Sequence, residues 1–201
     1  MKECVIFCAA GFDGLAIPLT EEDYLIAADG GLKHMESLGV TPNAIIGDFD
    51  SLNYIPTGAE VFPVEKDDTD MMLAIKLGLS RGYREFAIYG GLGGRLDHTI
   101  ANIQSLTYLA GEGAAGILYG DSYALTVIKD SSFTVPKDAT GMVSVFSLSD
   151  SSENVSIKGL KYEVDGVTLT NAFPLGVSNE TTAKKGIISV GSGTLLILWH
   201  P

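Results

Sequence analysis

Acidic side chains recur in this 201-residue chain in short motifs, each placed after an apolar run. In GDFDS, Asp48 and Asp50 stand two positions apart, so in an extended segment both carboxylates face the same way while Phe49 turns back toward a core. Two hard oxygen donors so placed suit Mg2+, which keeps several waters and leaves positions open for substrate phosphates. An Asx turn, with each Asp accepting from nearby backbone N–H groups, is the alternative. In EKDDTD, Asp67, Asp68 and Asp70 precede the apolar stretch MMLAIKLGL. Asp67 as a helix cap with Asp70 three residues later resembles a capping box. Capping uses one or two groups, and the surplus points Asp70 into a site where Lys66 can meet a phosphate.

A second kind of motif is glycine-rich. GGLGGRLDH places Gly90, Gly91, Gly93 and Gly94 before Arg95, Asp97 and His98. Glycines after a strand let backbone N–H groups approach an anion, and a helix start beyond them favours negative charge. Arg95 offers a planar fork to phosphate, or an ion pair to Asp97. His98 reads as a structural hydrogen-bond partner or a general base. The loop lacks the GxGxxG dinucleotide spacing and the chain has no GxxxxGK[ST], so a nucleotide would be held by metal and this loop. No Ser/His/Asp or Cys/His set supports acyl transfer.

These motifs need a scaffold that brings them together. Up to residue 128, apolar runs (Cys4–Ala9, Tyr24–Ala28, Ala44–Ile46, Glu60–Val64, Glu85–Tyr89, Gly116–Tyr119, Ala124–Ile128) alternate with stretches of helical spacing at Gly31–Leu38, Asp68–Arg81 and Asp97–Leu109. Such alternation predicts βαβ units and a mostly parallel sheet with flanking helices. Ligands of such sheets gather beyond the carboxyl ends of the strands. Asp29 in AADGG, the GDFDS pair, the EKDDTD cluster, Asp97 and Asp121 in LYGDS all follow predicted strands. Five acidic turns on one edge repel one another unless a cation sits among them.

From 129 onward Ser, Thr, Val and Gly dominate, and short strands are predicted at Phe133–Val135, Met142–Leu148, Val155–Ile157, Leu160–Val164, Val167–Thr170, Ile187–Val190 and Leu195–Trp199. The expected architecture is an α/β domain at 1–128 followed by a smaller all-β sandwich at 129–201. In PLGVSNE, Ser178 and Asn179 can pair with a heterocycle edge, or form an ordinary polar turn.

Charge follows the same division. The formal net charge is -12, and residues 1–128 hold 18 Asp/Glu against 7 Lys/Arg. A basic face for nucleic acid or anionic lipid is excluded. No apolar run is long enough for a membrane helix, and the N-terminus reads as a buried strand rather than a signal peptide. Cys4 and Cys8 share one strand face and read as core thiols of a cytoplasmic protein.

ADGG at 28–31, GDFDS at 47–51, EKDDTD at 65–70, GGRLDH at 93–98 and GVSNE at 176–180 occur in the order in which they resemble the bacterial form of the thiamine pyrophosphokinase family. That resemblance covers nearly the whole chain. It implies an N-terminal α/β domain, a C-terminal β-sandwich, and transfer of a pyrophosphoryl group from ATP to thiamine, giving thiamine diphosphate and AMP. It also implies a homodimer with the active site between subunits. By motif, Asp48, Asp50 and Asp70 would hold Mg2+ with Asp29 nearby, and Asp70 or Asp48 would orient or deprotonate the attacking hydroxyl. Arg95 and Lys66 would meet phosphate, with Thr69, Gly93, Gly94 and Asp97 lining the nucleotide pocket. Ser178 and Asn179 would contact the thiamine pyrimidine. Some members stack a Trp near that motif. This chain's one Trp is Trp199, which leaves Phe173 as a substitute. A different Mg2+-dependent phosphotransferase and a non-catalytic sensor are the rival readings.

Overall fold

The computed structural model describes residues 2–47, 60–62 and 67–200. Contacts divide the chain into two compact units, Met1–Asp121 and Ser122–Pro201.

In the first unit, strands β1 (Cys4–Phe7), β2 (Tyr24–Ala28), β3 (Ala44–Ile46), β4 (Glu60–Phe62), β5 (Glu85–Tyr89) and β6 (Ala115–Tyr119) form a sheet in the order β6-β5-β1-β2-β3-β4. Each adjacent pair among them is parallel. All four residues of β1 are buried, as a strand covered on both faces requires. One face packs helix α1 (Leu32–Ser37), through Leu32 and Met35, on Val5, Phe7, Ala27, Ile45, Ala87 and Tyr89. Against the other lie α2 (Asp70–Ser80) and α3 (Leu96–Gly111). There a Cβ on Gly78 would stand 2.8 Å from Cys4 Sγ and 2.5 Å from Phe86 Cε1. α2 therefore seats directly on the sheet where it carries no side chain. From β1 the chain runs outward through β2, β3 and β4, then returns to the opposite side of β1 for β5 and β6. The reversal opens a crevice beyond the ends of β1 and β5.

The second unit is all β. β7 (Ala124–Lys129), β14 (Thr194–Trp199), β9 (Met142–Ser147) and β12 (Asn179–Glu180) form one antiparallel set. β8 (Ser132–Thr134), β13 (Ile187–Ser189), β10 (Ser151–Lys158) and β11 (Val164–Thr170) form the other. Val143, Val145, Val155, Ile157, Ile188 and Trp199 are buried in this unit, with Phe133 tilted on Trp199 at 5.1 Å. The fold is thus an α/β unit followed by a smaller β-sandwich. Two local readings change. The stretch Ala124–Ile128, which follows the α/β periodicity in sequence, pairs along β7 with β14 and groups with the second unit. Leu160–Val164 is a turn leading into β11 rather than a strand. Gly159 enters it at φ 73, and the Glu163 carboxylate accepts from Gly159 N at 2.8 Å, closing the turn.

Candidate active site

The crevice at the strand-order reversal is a cleft of about 290 Å3. Ala9 and Ala10 after β1, Asp29 after β2, Asp68, Thr69 and Asp70 at the head of α2, Gly90, Gly91 and Gly93 after β5, and His98 and Asn102 of α3 line it. Three of the sequence-selected motifs thereby meet on one edge of one sheet. Asp48, Asp50 and Lys66 lie outside the described residues.

Asp29 has φ 50, a left-handed conformation that a short polar side chain tolerates, and it opens the turn into α1. Two residues on, Gly31 has an ordinary helical φ of -59, but a Cβ there would fall 1.9 Å from Phe7 O. This close approach of turn and β1 sets where Asp29 stands. At α2, Thr69 is the cap: its Oγ1 accepts from Met72 N at 3.3 Å, and Asp70 opens the helix. The cap read onto Asp67 is therefore supplied by Thr69. Asp68 pairs with Lys76 one turn and a half into the helix, at 2.5 Å. Capping and pairing are thus met by Thr69 and Asp68, while Asp70 lines the cleft at the positive end of α2.

Burial, with the Asp70 and Asp29 carboxylates beside it, pushes the Cys8 thiol up to about 12. Cys4 is raised further by burial alone. Both cysteines are free and buried, as core thiols. Cys8 lines the cleft together with both carboxylates. Among the described residues no group of three His, Cys, Asp or Glu side chains comes together for a metal. Among the described residues the lining nevertheless holds Asp29, Asp68 and Asp70 and no Lys or Arg. Such hard oxygen donors fit a divalent cation such as Mg2+.

In the glycine loop, Gly90 (φ 65), Gly93 (φ 83) and Gly94 (φ 66) take conformations that favour glycine. A Cβ on Gly93 or Gly94 would meet nothing within 4 Å, so these two are open to the surface rather than packed. The amides of Leu92, Gly93 and Gly94 donate no hydrogen bond among the described residues, which leaves three donors at the start of α3 for an anion. Arg95 and Asp97 form a two-point pair, Nε to Oδ1 at 3.1 Å and Nη2 to Oδ2 at 2.5 Å. That hydrogen bonding holds the Asp97 carboxyl below its usual range. Both side chains are exposed and neither lines the cleft. Asp121 also stands apart from it, beside Gly11.

Two residues not singled out in the sequence contribute here. Asn102 is buried on α3, and its Nδ2 donates to Gly91 O at 2.7 Å. A polar residue on the same helical face as Leu106 and Leu109 is the signal that marks it. His34 Nε2–H donates to Ala10 O at 2.8 Å and the ring packs on Phe12 at 5.2 Å, bracing the segment after β1.

In the second unit a hollow of about 130 Å3 is lined by Ile157, Val164, Val167 and Leu169, with Tyr162, Ser178 and Asn179 at its polar edge. Ser178 has φ 61, and its amide donates to Ser144 Oγ. The Asn179 amide makes three hydrogen bonds: Nδ2 donates to Tyr162 O at 2.7 Å, and Oδ1 accepts from Tyr162 N and Glu180 N at 2.9 Å each. The aromatic ring on this wall belongs to Tyr162. Phe173 is 66% exposed and outside the lining.

Comparison with known proteins covers both units. Residues 17–115 match the family model "Thiamin pyrophosphokinase, catalytic domain", and residues 131–195 match "Thiamin pyrophosphokinase, vitamin B1 binding domain". The chain is 26% identical over 189 residues to the thiamine pyrophosphokinase of Bacillus subtilis (strain 168), covering 89% of this chain and 88% of that one. It is 28% identical over 188 residues to thiamin pyrophosphokinase 1 of Caenorhabditis elegans, with coverage of 86% and 77%. The crystal structure of the Bacillus subtilis thiamine pyrophosphokinase superposes with a TM-score of 0.88 over 99% of both chains at 26% identity.

Proposed function

Since the chain belongs to the thiamin pyrophosphokinase family, we propose that it transfers a pyrophosphoryl group from ATP to the hydroxyethyl oxygen of thiamine, with the triphosphate in the cleft of the parallel sheet. The thiamine oxygen forms a bond to the β-phosphorus, the bond from that phosphorus to the α,β-bridging oxygen breaks, and AMP leaves. The observation that carries the reading is that Asp29 and Asp70 line one cleft at the switch of the sheet together with Gly93, whose loop carries three uncommitted amides.

Asp70, with Asp48 and Asp50, would hold Mg2+, and bound Mg2+ would neutralise charge on the triphosphate as the phosphoryl group moves. The amides of Leu92, Gly93 and Gly94 take phosphate oxygens. Arg95 exchanges its exposed partner Asp97 for phosphate at little cost, because such surface pairs contribute little to stability. Lys66 serves the same anion. Asp70 or Asp48 orients the attacking hydroxyl and accepts its proton. In-line positioning then does most of the catalytic work.

Thiamine, a permanent cation, lies with its pyrimidine near Ser178 in the hollow of the second unit. Asn179 supports it by fixing the Tyr162 backbone. The site is completed across a homodimer. This is supported by the exposed apolar side chains Tyr162, Phe173, Leu175 and Val177, which a second copy would cover. Residence in the cytoplasm accords with two free cysteines, and no helix among the described residues is long and apolar enough to cross a membrane.

One incubation tests the reaction: protein, thiamine, ATP and Mg2+, with products separated by chromatography. AMP and thiamine diphosphate are expected. ADP with thiamine monophosphate, or binding without turnover, overturns the proposal. Sedimentation equilibrium tests the homodimer, and a monomer at micromolar concentration rejects it.

A further inference from the structure

We propose that Asn102 is a positioning residue for the nucleotide: it fixes the direction of the glycine loop through Gly91 and does not touch the phosphates. The inference rests on the assignment of the triphosphate to the cleft. A side chain only 8% exposed must satisfy its polar atoms internally or at a cavity wall, and Asn102 does both. Gly91 O can only accept, so the atom facing it at 2.7 Å is the amide nitrogen. The Oδ1 of Asn102 accepts no hydrogen bond among the described residues. As an acceptor, Oδ1 has the wrong polarity for a phosphate oxygen, and the one hydrogen bond this side chain makes among the described residues is the bond to Gly91.

That bond is one of two anchors where the loop begins. Gly90 O accepts from Ala10 N at 2.8 Å, tying the loop to the segment after β1. Gly91 O is tied to α3 by Asn102. Gly91 itself is seated tightly, since a Cβ there would stand 2.6 Å from Leu118 Cδ1. Beyond Leu92 come Gly93 and Gly94, which no side chain restrains sterically and which have wide backbone freedom. In a trans peptide the C=O and the following N–H point in opposite directions. Holding Gly91 O toward α3 therefore turns Leu92 N–H away from that helix and sets the course of the three free amides. Without the anchor, the amides must be ordered at the moment of binding, at a cost to affinity.

The test compares N102A, N102D and N102S with wild type in steady-state kinetics and in direct MgATP binding, across pH 5.5 to 8.5. N102D sets an ionised carboxylate against Gly91 O, acceptor against acceptor. Burial raises the pKa of that carboxyl, and its protonated form can donate to Gly91 O. At pH 8, N102A and N102D are expected to weaken MgATP about 10- to 100-fold in KM and Kd, with thiamine KM within about twofold. As pH falls, the N102D deficit relative to wild type at the same pH should shrink and the N102A deficit should not. N102S, which keeps a donor, should lie between wild type and N102A. Unchanged MgATP affinity, a loss confined to kcat or to thiamine KM, or equal pH behaviour of N102A and N102D overturns the proposal. A wild-type protein that binds MgATP without forming AMP overturns the proposed reaction instead, and the binding comparison still decides the role of Asn102.

Discussion

Asp70 and Asn179 carry opposite lessons about polar residues chosen from motifs. Thr69 takes the capping role at α2, so the Asp70 carboxylate at the cleft is not needed to cap that helix. Asp70→Asn should lower kcat by about 10^2- to 10^3-fold, a barrier change of roughly 3–4 kcal/mol, while the melting temperature stays within a few degrees. Near-normal turnover in a chromatographic AMP assay removes Asp70 from the site. Asn179 is chosen by the same kind of reasoning as a substrate contact, and in the structure its amide also holds the backbone of Tyr162 and Glu180. Asn179→Ala leaves three backbone groups without partners and should cost about 2–3 kcal/mol, read as a lower urea midpoint at unchanged slope. Loss of thiamine affinity with no loss of stability would instead return Asn179 to the substrate. Arg95 shows why side-chain partners are hard to read from spacing. Phosphate and Asp97 are both within its sequence-level reach, and in the structure it takes the carboxylate two residues away.

At the scale of elements, strand and helix periodicity locates the α/β framework closely. α2 and α3 fall within about two residues of their expected ends, because a run such as MMLAIKLGL buries one helical face on any sheet it meets. Leu160–Val164 reads as a strand for its apolar Leu160 and Val164, but the turn is decided by the local bond from Gly159 N to the Glu163 carboxylate and by Asn179, which holds Tyr162 from a distant segment. The turn after β2 depends on contact with β1 in the same way. Gly31 has a helical φ that alanine accepts, so Gly31→Ala acts only through the Cβ that would collide with Phe7 O. It should destabilise the protein by about 3 kcal/mol and, by shifting Asp29, raise the KM for MgATP. A variant with wild-type melting and kinetics would show that the turn relaxes without consequence.

At the scale of the molecule, charge is the informative quantity. The formal excess of -12 lies almost entirely in residues 1–128, the part that holds the cleft. Metal-free ATP carries about four negative charges and meets that field unfavourably, whereas the magnesium complex carries about half as many. Calorimetry should find metal-free ATP binding at least about 100-fold weaker than MgATP binding in 50 mM salt. The gap should narrow in 500 mM salt, where repulsion is screened over a few ångströms. Equal affinities with and without metal would refute a charge-selective cleft.

The sequence by itself determined the class of fold, the succession of an α/β part and a β part, and the motifs that collect carboxylates and glycines. Hydrophobic period, turn residues and formal charge are local properties that survive without coordinates. Tertiary structure decided which of those residues meet. The reversal of strand order at β1 brings Asp29, Asp70 and the glycine loop to one cleft, while Asp97 is turned to Arg95 and Asp121 stands beside Gly11. It also decided that Asn102, an ordinary polar residue in the sequence, holds the carbonyl of Gly91. Partner choice by a hydrogen-bonding group depends on distance in space, and spacing along the chain fixes that distance only within a single element.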